Sequence, residues 1–433
     1  MSPKLGLAVA FSLIAFPAMA ADPRFEQDFA QPAWDGVYGG LFASHDITSL
    51  HVKADGLLDF NGIGGESQFA GVLLGFNHRF SERIVGGAEA DAALSGGDSH
   101  FNISDSGDFF NSSISGDWGV SAKARIGYLV APGTLLYTYV GGLVAQASYG
   151  CTSNVVECPA RVQKTLYGWP FIGFGAETQI WNDWRFRLEY EAKLLPTLSF
   201  GGSPSLDVTP LSGTAKVALI HDFGPQDAKS ESYPAFGYAP NTWTGFHGGA
   251  AGGYSMSVTS MDATVDPYTA SFDGFGGGGF TGGFFGGYDQ QFGNFVVGID
   301  GGYYWNGGRL RYTVNNTGEI TATGSSFYTV RGRAGVIVNP STMIYAVGGW
   351  IHADGSVDVF DGSGALIGSQ PLSRQGPEFG GGIEMWVNRH FSIRAEYTYD
   401  VFENGIPDTG EPIQFRSRVG TAMLGAVLHF GEN

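Results

Sequence analysis

Apolar and polar residues alternate with period two along most of this chain, the pattern of β-strands with one face in an apolar environment. The clearest case sets Arg185, Arg187, Glu189 and Glu191 between Phe186, Leu188 and Tyr190. It recurs with Arg394, Glu396, Thr398 and Asp400 between Ile393, Ala395, Tyr397 and Tyr399. The first half reads as eight strands, over 34–45, 67–78, 84–94, 117–130, 134–148, 165–179, 184–198 and 212–223. Their connections alternate in kind. Residues 79–82, 131–133 and 181–183 form short turns, whereas 47–66, 95–116, 149–164 and 199–211 are long, polar and rich in Gly and Ser. Short turns at 292–294, 339–341 and 388–390 repeat the scheme in the second half.

The two halves are copies of one module. Arg125, Gly127, Pro132, Thr134 and Tyr137 recur in step as Arg333, Gly335, Pro340, Thr342 and Tyr345. Trp34 and Gly36 return as Trp243 and Gly245, and Glu177 with Arg187, Glu189 and Tyr190 as Glu384 with Arg394, Glu396 and Tyr397. Such self-similarity makes the module the structural unit.

Short turns on one side and long loops on the other are the signature of an all-β transmembrane barrel, antiparallel and closed, with turns in the periplasm and loops outside. Closure is obligatory because lipid offers no partner for an unpaired strand edge. The pattern predicts two tandem eight-stranded up-and-down barrels; one sixteen-stranded barrel is the alternative. The predicted boundaries are a signal peptide over 1–20, a periplasmic segment over 21–33, a first barrel over 34–224, a linker over 225–241 containing Pro225, Pro234 and Pro240, and a second barrel over 242–433. The linker favours two barrels, because it is far longer than the turns.

A charge on the lipid face costs roughly 2–4 kcal/mol at mid-bilayer, so the charged faces must point inward. That places Glu89, Asp91, Lys123, Arg125, Glu177, Arg187 and Glu189 in the first lumen, and Asp300, Arg331, Arg333, Glu384, Arg394 and Glu396 in the second. Both signs occur in each set. Buried charges need partners, and an eight-stranded barrel is just wide enough for side chains to fill, so each lumen is expected to carry an ionic plug. Trp34, Tyr128, Trp181, Trp184, Trp243, Tyr345 and Trp386, near the turns, are expected in interfacial girdles.

Composition adds to this picture. The chain has 433 residues, 69 of them glycine, with 14% aromatic and only 15% charged residues. Lys4, an apolar run to Phe16 and small residues before Ala21 read as a secretory leader cut after Ala20. Without it the chain keeps 22 basic and 41 acidic residues, a net charge of −19. This disfavours nucleic acid and anionic-lipid partners that need basic patches. Cys151 and Cys158, the only cysteines, predict a disulfide within one loop of an exported chain.

The chain resembles the OmpA-like eight-stranded outer-membrane β-barrel superfamily, particularly the porin-like surface proteins of alphaproteobacteria. The resemblance rests on Trp243-Thr244-Gly245-Phe246-His247-Gly248-Gly249, its counterpart Trp34 to Gly40, the Gly282-to-Tyr288 run and Arg331 to Gly335. It also rests on the Glu-Tyr pairs of the seventh strands and the closing aromatics Phe223 and Phe430. The resemblance implies an outer-membrane protein assembled by the barrel-assembly machinery, surrounded by outer-membrane lipid and lipopolysaccharide. The family has one barrel per chain and ends on its aromatic, whereas this chain carries two modules and continues to Asn433.

No enzymatic site, cofactor or metal site is predicted. His45 beside Asp46, His51, and His100 near Asp98 and Ser99 have the residue types of a rim hydrolase, but none recurs in the second module, and they read as polar loop residues. Gly276 to Gly279 reads as a flexible loop. The expected role is non-enzymatic, in envelope integrity or surface interaction, with solute passage through a sixteen-stranded barrel as the alternative. The loops name no extracellular ligand.

Overall fold

A computed structural model describes residues 34–54, 58–96, 98–105, 107–131, 133–154, 162–181, 183–194, 197–200, 206–223, 242–265, 268–314, 318–405 and 413–430. The leader, the 21–33 segment, the linker and Cys158 lie outside these residues, and with them the expected disulfide.

The first module comprises β1 (Gly36–Ala54), β2 (Leu58–Arg79), β3 (Ile84–Ser95), β4 (Asp98–Asp105), β5 (Asp108–Ala131), β6 (Thr134–Ser153), β7 (Val162–Trp181), β8 (Trp184–Leu194), β9 (Leu198–Phe200) and β10 (Leu206–Asp222). The second comprises β11 (Gly245–Val265), β12 (Tyr268–Phe292), β13 (Phe295–Asn306), β14 (Arg309–Val314), β15 (Gly318–Asn339), β16 (Thr342–Asp361), β17 (Leu366–Trp386), β18 (Phe391–Gly405) and β19 (Ile413–His429). All ladders are antiparallel. β3 with β4, β8 with β9, and β13 with β14 are interrupted halves of single wall strands. β10 pairs with β1 and β19 with β11, closing two separate eight-stranded rings.

The stretches expected as long loops mostly continue the walls. β1 and β2 stay paired up to Ala54 and Leu58, and β12 reaches 25 residues, where nine to eleven suffice to cross a bilayer. Strict alternation lapses along these extensions, so no period marks a strand and the sequence reads as loop. At the tip between β16 and β17, the Asp361 carboxylate accepts hydrogen bonds from the Ser363 hydroxyl at 2.6 Å and the Ser363 and Ala365 N–H groups at 2.9 and 3.0 Å. These hold its carboxyl below the usual range.

At the loop end the rings exchange partners. Arg311 to Val314 of β14 pair with Asn61 to Leu58 of β2, and Tyr268 to Phe272 of β12 pair with Asp105 to Phe101 of β4. The strand order becomes β1-β2-β14-β15 on one side and β11-β12-β4-β5 on the other. Two rings at the turn end thus run into a joint wall at the loop end, the one place among the described residues where strands of both modules share ladders. Gly276 to Gly279 lie within β12 beside this exchange and are a strand, not a loop. A Cβ on Gly64 would sit 2.7 Å from the Gly276 Cα, so the exchange needs glycine.

Exposed apolar side chains form an outward band, including Leu74 and Phe76 on β2, Ile126 on β5, Phe284 on β12 and Ile299 on β13. Tyr128, Trp181 and Trp184 lie on this exposed surface. Trp34, Trp243, Tyr345 and Trp386, expected in the same girdles, are instead buried inside the rings. Trp34 packs with Val85, Leu129, Leu135 and Tyr137, and Trp243 lies 5.0 Å from Trp386 beside Val296 and Met343. These apolar layers stopper the turn ends, where an aromatic has either face to choose.

Candidate functional site

Side chains of one parity on each strand converge in the ring interiors, where the low dielectric makes every unpaired charge costly. In the first ring Lys123 contacts Glu89 at 3.0 Å and Glu189 at 2.8 Å, and Arg125 contacts Glu177 at 2.8 Å. Arg187 reaches Glu89 at 2.6 Å, Glu177 at 2.8 Å and Glu189 at 3.5 Å. Arg185 bridges Glu177 and Asp222. Nearer the loop end Lys216 contacts Asp91 at 3.0 Å and Lys193 contacts Asp46 at 2.8 Å. Tyr38 and Tyr137 donate to Glu89 and Glu189 at 2.8 and 2.5 Å, filling the space between the ions.

The second ring repeats the arrangement with fewer cations. Arg331 contacts Glu396 at 2.8 Å, Glu378 at 3.1 Å and Asp300 at 3.8 Å. Arg333 contacts Glu384 at 2.5 Å and Asp289 at 3.7 Å, and Arg394 contacts Asp300 at 2.7 Å and Glu384 at 3.2 Å. His429 lies 3.3 Å from Glu384, and His247 3.4 Å from Asp289.

Asp46, Lys193, Lys216, Asp222, Asp289 and Glu378 are additions to the charged set singled out by sequence. Their signal is parity: Glu378 is in step with Glu384, and Lys216 with Asp222. Glu378 faces Asp400 across the β17–β18 ladder; Glu378 Oε2 and Asp400 Oδ1 lack hydrogen-bond partners among the described residues. Like charges directly opposite are destabilising. Asp400→Asn is therefore expected to raise the melting temperature of the folded protein, in contrast to Asp300→Asn, which removes partners of Arg331 and Arg394; thermal unfolding in detergent reads both.

His45 and Asp46 project to opposite faces because they are successive residues of β1. Asp46 enters the lumen, where Ser212 and Thr214 also donate to it at 2.5 Å. His45 faces outward, 3.2 Å from the Tyr397 hydroxyl of the other ring. The pair is not a catalytic dyad. The side chains of Asp98, Ser99 and His100 lie outside the described residues.

His45 belongs to a seam between the rings. Glu66 of β2 accepts from Tyr399 at 2.9 Å and from Arg418 at 2.6 Å. At the turn end Thr134 lies 2.6 Å from Thr342, and Asn339 donates to Thr178 at 2.8 Å. Between these polar clasps, Val130 and Ala176 pack on Ile383, Met385 and Ala395. Small outward residues let two walls approach closely where lipid would otherwise lie. Phe223 and Phe430 end the last strands facing outward, and their N–H groups donate to Val37 and Phe246 at 3.0 and 2.8 Å.

Residues 235–426 match the model of the outer membrane protein beta-barrel domain. That match spans the second module, under half of the chain. The chain is 27% identical over 205 residues to the 31 kDa outer-membrane immunogenic protein of Brucella melitensis biotype 1, covering 42% of this chain and 83% of the relative. It is 29% identical over 163 residues to the 22 kDa outer membrane protein of Rhizobium leguminosarum bv. viciae, covering 38% of this chain and 66% of the relative. Among solved structures it is similar to Ail, the attachment invasion locus protein of Yersinia pestis, at 19% identity and a TM-score of 0.24, covering 43% of this chain and 99% of that one. It is also similar to the toluene transporter TodX of P. putida, at 11% identity and a TM-score of 0.28, covering 93% of this chain and 94% of that one.

Proposed function

We propose that this outer-membrane protein is a non-enzymatic barrel doublet with an envelope-structural or surface-interaction role, its lumens closed to solutes by their charged networks. The observation that carries this reading is the buried ion cluster of each ring, centred on Arg187 and Arg394, above an apolar stopper. Turns and termini face the periplasm in this reading, and the joined walls stand outside as the surface that partners meet. The name of the Brucella relative, an immunogenic protein, fits a surface-exposed role. Outer-membrane lipid and lipopolysaccharide surround the doublet, and the barrel-assembly machinery inserts it, with Phe223 and Phe430 on the closing strands. The porin reading draws on the joint wall at the loop end, which frames one mouth over both rings.

Conductance in a planar bilayer decides between them. Protein shown to be folded by heat-modifiable migration is expected to be silent or to open rarely and slightly. Steady, large conductance overturns the closed-lumen reading and makes transport the function.

A further inference from the structure

Two closed cylinders side by side touch along a seam and leave a crease beside it. On one side of this seam, outward residues of the first ring, Ile84, Ile126, Tyr128, Leu136 and Phe174, frame an open groove of about 360 Å³ with Leu424 of the second ring. The size is that of a small-ligand site. The lining is almost wholly apolar and continues the outward band at Ile126. At hydrocarbon depth the available filler is an acyl chain, because an empty crease forfeits the dispersion contacts of its walls.

The groove has a charged end. Arg83, on the turn between β2 and β3, donates through its guanidinium to the Tyr128 hydroxyl at 3.0 Å and lies 5.6 Å from the centre of that ring. Tyr128 lines the groove, so a cation stands at its turn-end mouth in a protein of net charge −18. Ile126 and Leu136 sit within a few residues of the β5–β6 turn, which puts the groove in the leaflet at the turn end.

We propose that this groove is a phospholipid site, with one acyl chain against Ile126, Leu136 and Phe174 and the phosphate on Arg83. The leaflet, and hence a glycerophospholipid rather than lipopolysaccharide, rests on the orientation proposed above.

The test is native mass spectrometry of the full chain extracted from membranes in mild detergent, with the released lipid identified. One glycerophospholipid per chain is expected. Ile126→Trp, which fills the groove from an exposed position, and Arg83→Gln are expected to lower its occupancy roughly tenfold while heat-modifiable migration stays normal. Equal occupancy in wild type and Ile126→Trp overturns the site, as does lipopolysaccharide in the groove or no retained lipid. Orientation is read separately, by impermeant maleimide on intact cells carrying Ser81→Cys in a chain with Cys151 and Cys158 replaced by serine. Labelling there overturns the orientation; no labelling with unchanged lipid overturns the site alone.

Discussion

Arg187→Leu is expected to destabilise the first ring by about 3–5 kcal/mol, the cost of breaking a buried ion pair from one side. The guanidinium is fully buried and contacts Glu89, Glu177 and Glu189 together. Leucine leaves those carboxylates to Lys123, Arg125 and Arg185, which already serve them. It also removes a cation 5.5 Å from the Tyr38 ring centre. The wall cannot relax to admit water without opening its ladder. The folded form should therefore convert to the unfolded form at a markedly lower temperature in heat-modifiable electrophoresis. Arg187→Lys keeps the charge but not the planar fork and should fall between. Arg394→Leu should act alike in the second ring, by taking the nearest cation from Asp300 and leaving Glu384 to Arg333. Unchanged conversion temperatures would refute the view that these ions hold the lumens together.

The charged interiors were legible because lipid imposes one rule on one face. Arg185 to Glu191 and Arg394 to Asp400 alternate strictly, and the face carrying charge has only one place to go. The rule fails where the two faces stop differing. Trp34 and Trp386 lie near the turns, where an aromatic suits the interface or the lumen equally, and both went inward. Along 47–54 and 58–66 the paired strands outrun the strict alternation, so they read as loop. Ala176, Ile383 and Met385 show the remaining limit. A side chain that faces lipid and one that faces a second barrel have the same chemistry, so the seam left no mark in the pattern.

The joint wall depends on one close approach, and Gly274→Val is expected to open it. A Cβ at Gly274 would run into the Gly64 carbonyl and stand 3.0 Å from the Gly64 Cα. These are backbone atoms, so no rotamer change relieves the clash, and overpacking of this kind costs roughly 1–3 kcal/mol or more. The neighbouring contact, Phe275 with Ile63, is where the walls exchange strands. Forcing it apart should separate the β12–β4 and β14–β2 ladders together, since each lies immediately beyond it. The rings below are closed by other strands and hold their ions without this junction. The variant should therefore keep its heat-modifiable migration while residues 58–63 and 101–105 become cleavable by added protease. Gly348→Val is the control, because a Cβ there meets nothing within 4 Å. Wild-type cleavage in Gly274→Val would mean that the rings stand apart at their loop ends, and the seam alone would then join them.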